Sequence, residues 1–106
     1  MGEFVRAIES RNLWDDQPLG VSVNGTPVVV VRHAGKVYAL EDRCSHQICP
    51  LSTGFVEDGQ IECEFHGAKF DLITGAATLP PATLPIRVFP VREDKGEVWV
   101  GIEATL

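Results

Sequence analysis

Apolar residues fall in short stretches along this chain, cut off at close intervals by seven prolines and ten glycines, which leaves little room for a long helix. The pattern predicts a β protein. Glu3 to Glu9 reads as a first strand, and Ser10 to Gln17 as one turn of helix with Ser10 as its cap. Leu19 to Val23 and Pro27 to Arg32 read as a hairpin across Asn24-Gly25, a pair that supplies the positive φ angles of a tight turn. Ala34-Gly35 predicts the next turn and Lys36 to Glu41 the next strand. Pro85 to Arg92 and Glu97 to Ile102 predict a closing pair across Glu93-Asp94-Lys95-Gly96. Between these halves, from Asp42 to about Pro81, the texture changes. This segment holds every cysteine and two of the three histidines, and Gly54, Gly59, Gly67 and Gly75 interrupt its apolar positions. It reads as a metal-binding lobe, about residues 42–81, inserted between scaffold segments 1–41 and 82–106 of a single domain.

Composition narrows the function classes. A 44% hydrophobic and 23% charged composition is that of a folded, soluble chain. The longest aliphatic run, Val28 to Val31, is far short of the roughly 20 apolar residues of a membrane helix. The N-terminus lacks the basic-then-apolar order of a signal peptide, and Arg6 stands where a myristoylation motif wants Ser or Thr, so a cytoplasmic protein is expected. A formal charge of −6 disfavours nucleic acid and suits a basic protein partner, or serves solubility alone. Three cysteines, an odd number, fit two ligands and a bystander better than a disulfide framework.

The candidate chemistry lies in two boxes, Cys44-Ser45-His46 and Cys63-Glu64-Phe65-His66, with sixteen residues between His46 and Cys63. Each offers one thiolate and one imidazole. Facing each other, they form the four-donor set of a Rieske centre, with two Cys on one iron and two His on the other. Zinc accepts the same donors. Zinc sites commonly pair Cys with Cys and His with His, whereas each box here mixes the two, which favours iron–sulfur and leaves a zinc-stabilised interaction module as the non-redox alternative.

The segments Cys44 to Val56 and Ile61 to Asp71, with Thr74-Gly75, resemble the two cluster loops of Rieske proteins. Leu79-Pro80-Pro81-Ala82 and the strand Pro85 to Val91 resemble the proline loop and return strand of the Rieske ferredoxins of bacterial aromatic-ring-hydroxylating dioxygenases. The resemblance covers nearly the whole chain. It implies an all-β Rieske fold, an antiparallel β-sandwich-like base carrying the lobe. It implies one [2Fe–2S] cluster on Cys44, His46, Cys63 and His66. It also implies a one-electron carrier between a flavin-containing reductase and a terminal oxygenase, not itself an enzyme. A terminal oxygenase needs two further His and a carboxylate for its mononuclear iron, and only His33 remains. The small subunit of a nitrite-reductase-type system is the alternative within this fold.

Departures from the respiratory branch of Rieske proteins are informative. Cys49 stands at one position of that branch's disulfide but Phe65 stands at the other, so Cys49 is expected as a small buried apolar residue. Ala68 and Phe70 replace the Ser and Tyr hydroxyls that stabilise the reduced centre in that branch, so a low potential is expected. Gly54 and Gly67 are expected to permit tight loops, and Pro80 and Pro81 to cover the cluster. Glu62 and Glu64 are expected either as the solvated side of a loop or as negative charge on a docking face. His33 is expected at the surface, and Trp14 and Trp99 in packing rather than electron relay.

Overall fold

The computed structural model describes residues 2–43, 50–64, 67–79 and 84–103. Among them the regular structure is antiparallel β in three sheets, with two single 3-10 turns at Ser10–Asn12 and Leu51–Thr53. No helix among the described residues is long and apolar enough to cross a membrane.

The first sheet contains β1 (Gly2–Glu9), β10 (Val91–Asp94) and β11 (Glu97–Glu103) in the order β1-β11-β10. The central sheet contains β2 (Leu19–Val23), β3 (Thr26–His33), β4 (Lys36–Glu41) and β9 (Val88–Phe89), in that order. The third is a meander of β5 (Phe55–Glu57), β6 (Gln60–Glu62), β7 (Lys69–Asp71) and β8 (Ala77–Leu79). The predicted hairpin turn forms as expected: Asn24 and Gly25 take φ of 50° and 80°, matching the twist of the strands they join.

The run Val28 to Val31 explains how the layers stack. All four residues are inaccessible to solvent. Successive side chains of a strand point to opposite faces. Val28 and Val30 pack with Ala39, Phe89, Val98 and Val100 in the core shared with the first sheet. Val29 and Val31 pack with Leu40, Leu51, Ile61 and Phe70 in a second core, shared with the third sheet. The central sheet is therefore covered on both faces, and a strand buried on both faces must be continuously apolar. Each such valine contributes about 1.5–3 kcal/mol relative to exposure.

Arg32, near the end of β3, ties the central sheet to the first. Its guanidinium donates to both carboxylate oxygens of Glu93 on β10, at 3.1 and 2.7 Å, and its Nε donates to the Leu13 carbonyl at 3.1 Å. This paired hydrogen bond raises the Arg32 pKa and holds the Glu93 carboxyl below its ordinary value.

The structure corrects the sequence reading in three places. The helical turn spans only Ser10–Asn12, with Glu9 rather than Ser10 at its N-cap and no side-chain cap bond. The predicted strand from Pro85 to Arg92 is two strands in different sheets: β9 pairs with β4, while β10 pairs with β11 across the shorter turn Lys95-Gly96. Pro90 divides them. It has no N–H for a ladder, and its carbonyl instead accepts from Gly101 at 2.8 Å. The segment read only as Gly-interrupted contains the third sheet, each strand of which is three residues long. Trp14 is exposed and Trp99 half-buried. His33 is half-buried rather than fully at the surface, with Nδ1 2.6 Å from a carboxylate oxygen of Asp16.

Candidate metal centre

The second box sits at the head of the β6–β7 hairpin. Ile61 pairs with Phe70 and Glu62 with Lys69. The Cys63 N–H then donates to the Ala68 carbonyl at 2.7 Å, carrying the ladder one step past the strands. The Gly67 N–H donates back to the Cys63 carbonyl at 3.0 Å, closing the turn. Gly67 adopts φ of +72°, a conformation that would strain a residue with a Cβ. A short hairpin with strand-fixed ends thus presents Cys63. His66 lies outside the described residues.

Cys63 is fully buried in the core beneath the third sheet, with Leu51, Ile61, Ala68 and Phe70. Among the described residues no polar or charged residue is fully buried, and those that share this core with Cys63 are apolar. Ala68 and Phe70 are inaccessible to solvent and have no side-chain donor to offer it. Charge stays at the rim: Glu62 faces Lys69 at 3.9 Å, and Glu64 is exposed.

The first box lies in the chain between β4 and the 3-10 turn at Leu51–Thr53. Cys44, His46 and Cys49 lie outside the described residues, as do Phe65, Pro80 and Pro81. Asp42 accepts from the Ser52 N–H at 2.7 Å on one carboxylate oxygen and from the Ser52 hydroxyl at 2.8 Å on the other. Leu51 is buried in the same core as Cys63. Gly54 lies so close to the second box that a Cβ there would overlap the Glu62 carbonyl oxygen. The return limb of the first box therefore runs directly beside the strand that leads into Cys63, and Phe55 pairs with Glu62. Sequence reasoning singled out Gly54 but missed Asp42 and Ser52. Their only signal was an acidic residue two positions before Cys44 and a hydroxyl ten positions further on.

One buried cysteine in a strand-held turn, packed with Leu51, Ile61, Ala68 and Phe70 and carried by one of two mixed Cys/His boxes in the sequence, suits an iron–sulfur group. The family model for the Rieske [2Fe–2S] domain matches residues 3–90. The chain belongs to the Rieske [2Fe–2S] domain family. Ferredoxin components of dioxygenase systems are among its relatives. The anthranilate 1,2-dioxygenase ferredoxin subunit of Burkholderia cepacia is 39% identical over 88 residues, 83% of this chain and 82% of that protein. Among solved structures, the ferredoxin of carbazole 1,9a-dioxygenase from Nocardioides aromaticivorans IC177 superposes with a TM-score of 0.88 at 36% identity, covering 92% of this chain and 95% of that one. A ferredoxin in a complex of reduced oxygenase and oxidised ferredoxin of carbazole 1,9a-dioxygenase gives 0.88 at 35% identity, covering 97% and 96%. The chain is a Rieske ferredoxin of the dioxygenase-component type, an electron carrier rather than a catalyst, and its cofactor is one Rieske-type [2Fe–2S] cluster.

Proposed function

We propose that this Rieske ferredoxin holds its cluster on Cys44, His46, Cys63 and His66, within a lobe of about residues 42–81. We further propose that it passes single electrons from a flavin-containing reductase to the terminal oxygenase of an aromatic-ring dioxygenase in the cytoplasm. When bound, the cluster accepts and releases one electron. The chain's own residues supply the setting. The β6–β7 turn fixes Cys63, the apolar core around it excludes water, and the flanks of the first box are tied back to the scaffold. The observation that carries the reading is the packing of Leu51 and Gly54, which return from the first box, against the Glu62–Cys63 segment of the second. This supports the reading that Cys44 and His46 share one site with Cys63 and His66, the two-Cys, two-His set that Rieske iron requires.

The partner assignment draws on the similar ferredoxin found in complex with its oxygenase. The acidic balance of the chain, −6, suits steering toward a basic docking face on either partner. The test is reconstitution with iron and sulfide, followed by turnover with a flavin reductase and a Rieske oxygenase. The parent protein is expected to bind two irons, show the Rieske electron paramagnetic resonance signal and support turnover. His46→Ala and His66→Ala are expected to lose that signal, whereas Cys49→Ser keeps it. A parent signal retained in either histidine variant would remove that residue from the ligand set. Failure of the parent to sustain turnover with any such pair would refute the carrier role.

A further inference from the structure

We infer that Asp42 is a positioning residue that sets the first ligand loop before iron binds, by clamping Ser52 across that loop's base. The inference rests on the reading that Cys44 and His46, which lie between the clamped residues, are ligands.

Both ends of the clamp are anchored in rigid structure. Glu41 donates its N–H to the Arg87 carbonyl at 2.8 Å, and Asp42 donates its own to the Pro27 carbonyl at 3.1 Å, so the carboxylate hangs from β3 and the segment entering β9. Across the loop, Leu51 is sealed in the core, and the Gly54 N–H closes the 3-10 turn on the Leu51 carbonyl at 2.9 Å. Ser52 is thereby presented with both its N–H and its hydroxyl toward Asp42, and each carboxylate oxygen takes one of them. Hydrogen bonds to an ionised acceptor are roughly twice as strong as neutral ones.

A third element is shaped around this pair. At Gly20 on β2 a Cβ would stand 2.8 Å from the Ser52 Oγ and 2.9 Å from the second Asp42 oxygen. Such contacts are too short for carbon against oxygen, so any side chain at this position would push the clamp open. The arrangement closes a ten-residue span with the protein's own bonds, so the ordering entropy of the loop's ends is met without metal. Ligands on a loop whose ends are already set need less rearrangement to bind iron and lose it more slowly.

The test compares Asp42→Ala, Ser52→Ala, Asp42→Asn and Gly20→Ala with Glu93→Gln, which weakens the distant Arg32 pair. For each holoprotein three quantities are measured: iron release to excess chelator followed by visible absorbance, the resonance signal of the reduced centre, and the thermal midpoint. Loss of both charge-assisted bonds in Asp42→Ala is expected to speed iron release about tenfold or more and shift the resonance signal. Ser52→Ala and Gly20→Ala are expected to show the same change to a smaller degree. Asp42→Asn is expected to restore most of the parent behaviour, because its amide can accept from the Ser52 N–H and donate to the hydroxyl. Glu93→Gln is expected to lower the midpoint and leave release and signal alone. The inference is overturned if release simply tracks the thermal midpoint across all five variants, or if Asp42→Ala and Ser52→Ala release iron at the parent rate. Should Asp42→Ala fail to take up iron, Ser52→Ala and Asp42→Asn make the same comparison. A parent protein without a Rieske signal would instead sink the ligand assignment itself.

Discussion

Replacing Val29 by Ala and, separately, Val30 by Ala removes the same two carbons from neighbouring positions of β3, both inaccessible to solvent. Transfer of those carbons costs about 0.8 kcal/mol each, and incomplete collapse of the cavity adds to it, so each variant loses roughly 2–3 kcal/mol. At this chain length that is a fall in thermal midpoint on the order of 10–15 °C for either protein. Their effects on the metal centre should nevertheless differ. Val29 packs against Leu51, Ile61 and Phe70, in the core that also holds Cys63, so its truncation leaves slack beneath the hairpin that carries Cys63. Val30 packs against Val98 and Val100 on the opposite face of the sheet, where slack opens toward β11. Differential scanning of both holoproteins gives the stability loss, and chelator-driven bleaching of the visible spectrum gives cluster retention. Val29→Ala is expected to bleach several-fold faster than Val30→Ala at matched stability. Equal bleaching rates, or a faster loss from Val30→Ala, would refute the assignment of the two faces to two separate cores.

Acid stability should depend on Glu93. Its pKa is held below the ordinary carboxylate value by the hydrogen bond from Arg32, so the stability it contributes is complete above about pH 4.5 and fades as pH falls through the lowered value. Glu93→Gln should therefore unfold more readily than the parent at neutral pH, with the gap closing in acid; a gap that widens toward pH 3 contradicts this sign. The reduction potential should lie near the low end of the Rieske range, around −150 mV, since Ala68 and Phe70 offer no side-chain donor. Ala68→Ser, if its hydroxyl meets a cluster sulfur, should raise the midpoint by about 40 mV, the equivalent of one hydrogen bond of about 1 kcal/mol per electron, and voltammetry showing a parent potential well above zero would count against the argument. Electron transfer at limiting partner concentration should slow as salt rises, and Glu64→Gln should flatten that dependence more than Glu103→Gln; rates indifferent to salt leave the acidic surface a matter of solubility.

Much of the scaffold was legible because its signals are local. Asn24-Gly25 and Ala34-Gly35 bend the chain with positive φ whatever surrounds them, and β4 falls at Lys36–Glu41 as its flanking turns predict. The two Cys/His boxes were legible for a chemical reason: few donor sets combine a thiolate and an imidazole twice at such spacing. The strands of the third sheet were not, because three residues are too few to display an alternation. The division of the last predicted strand was overlooked although Pro90 marked it. A proline removes a ladder donor, but sequence does not say which neighbouring sheet claims the residues on either side.

By itself the sequence determined the turns and the β character and offered the candidate donor atoms, since each is a property of residues close together in the chain. The tertiary structure decided everything that depends on what covers a surface. Val28 to Val31 is equally apolar on either face, and only the arrival of β11 on one side and of the β6–β7 hairpin on the other makes it the wall between two cores. Asp42, Ser52 and Gly20 read as an ordinary acid, hydroxyl and glycine until three separate segments bring them within hydrogen-bonding and contact distance. Such a juxtaposition is stabilised by the packing of distant elements, and no local pattern of residues encodes it.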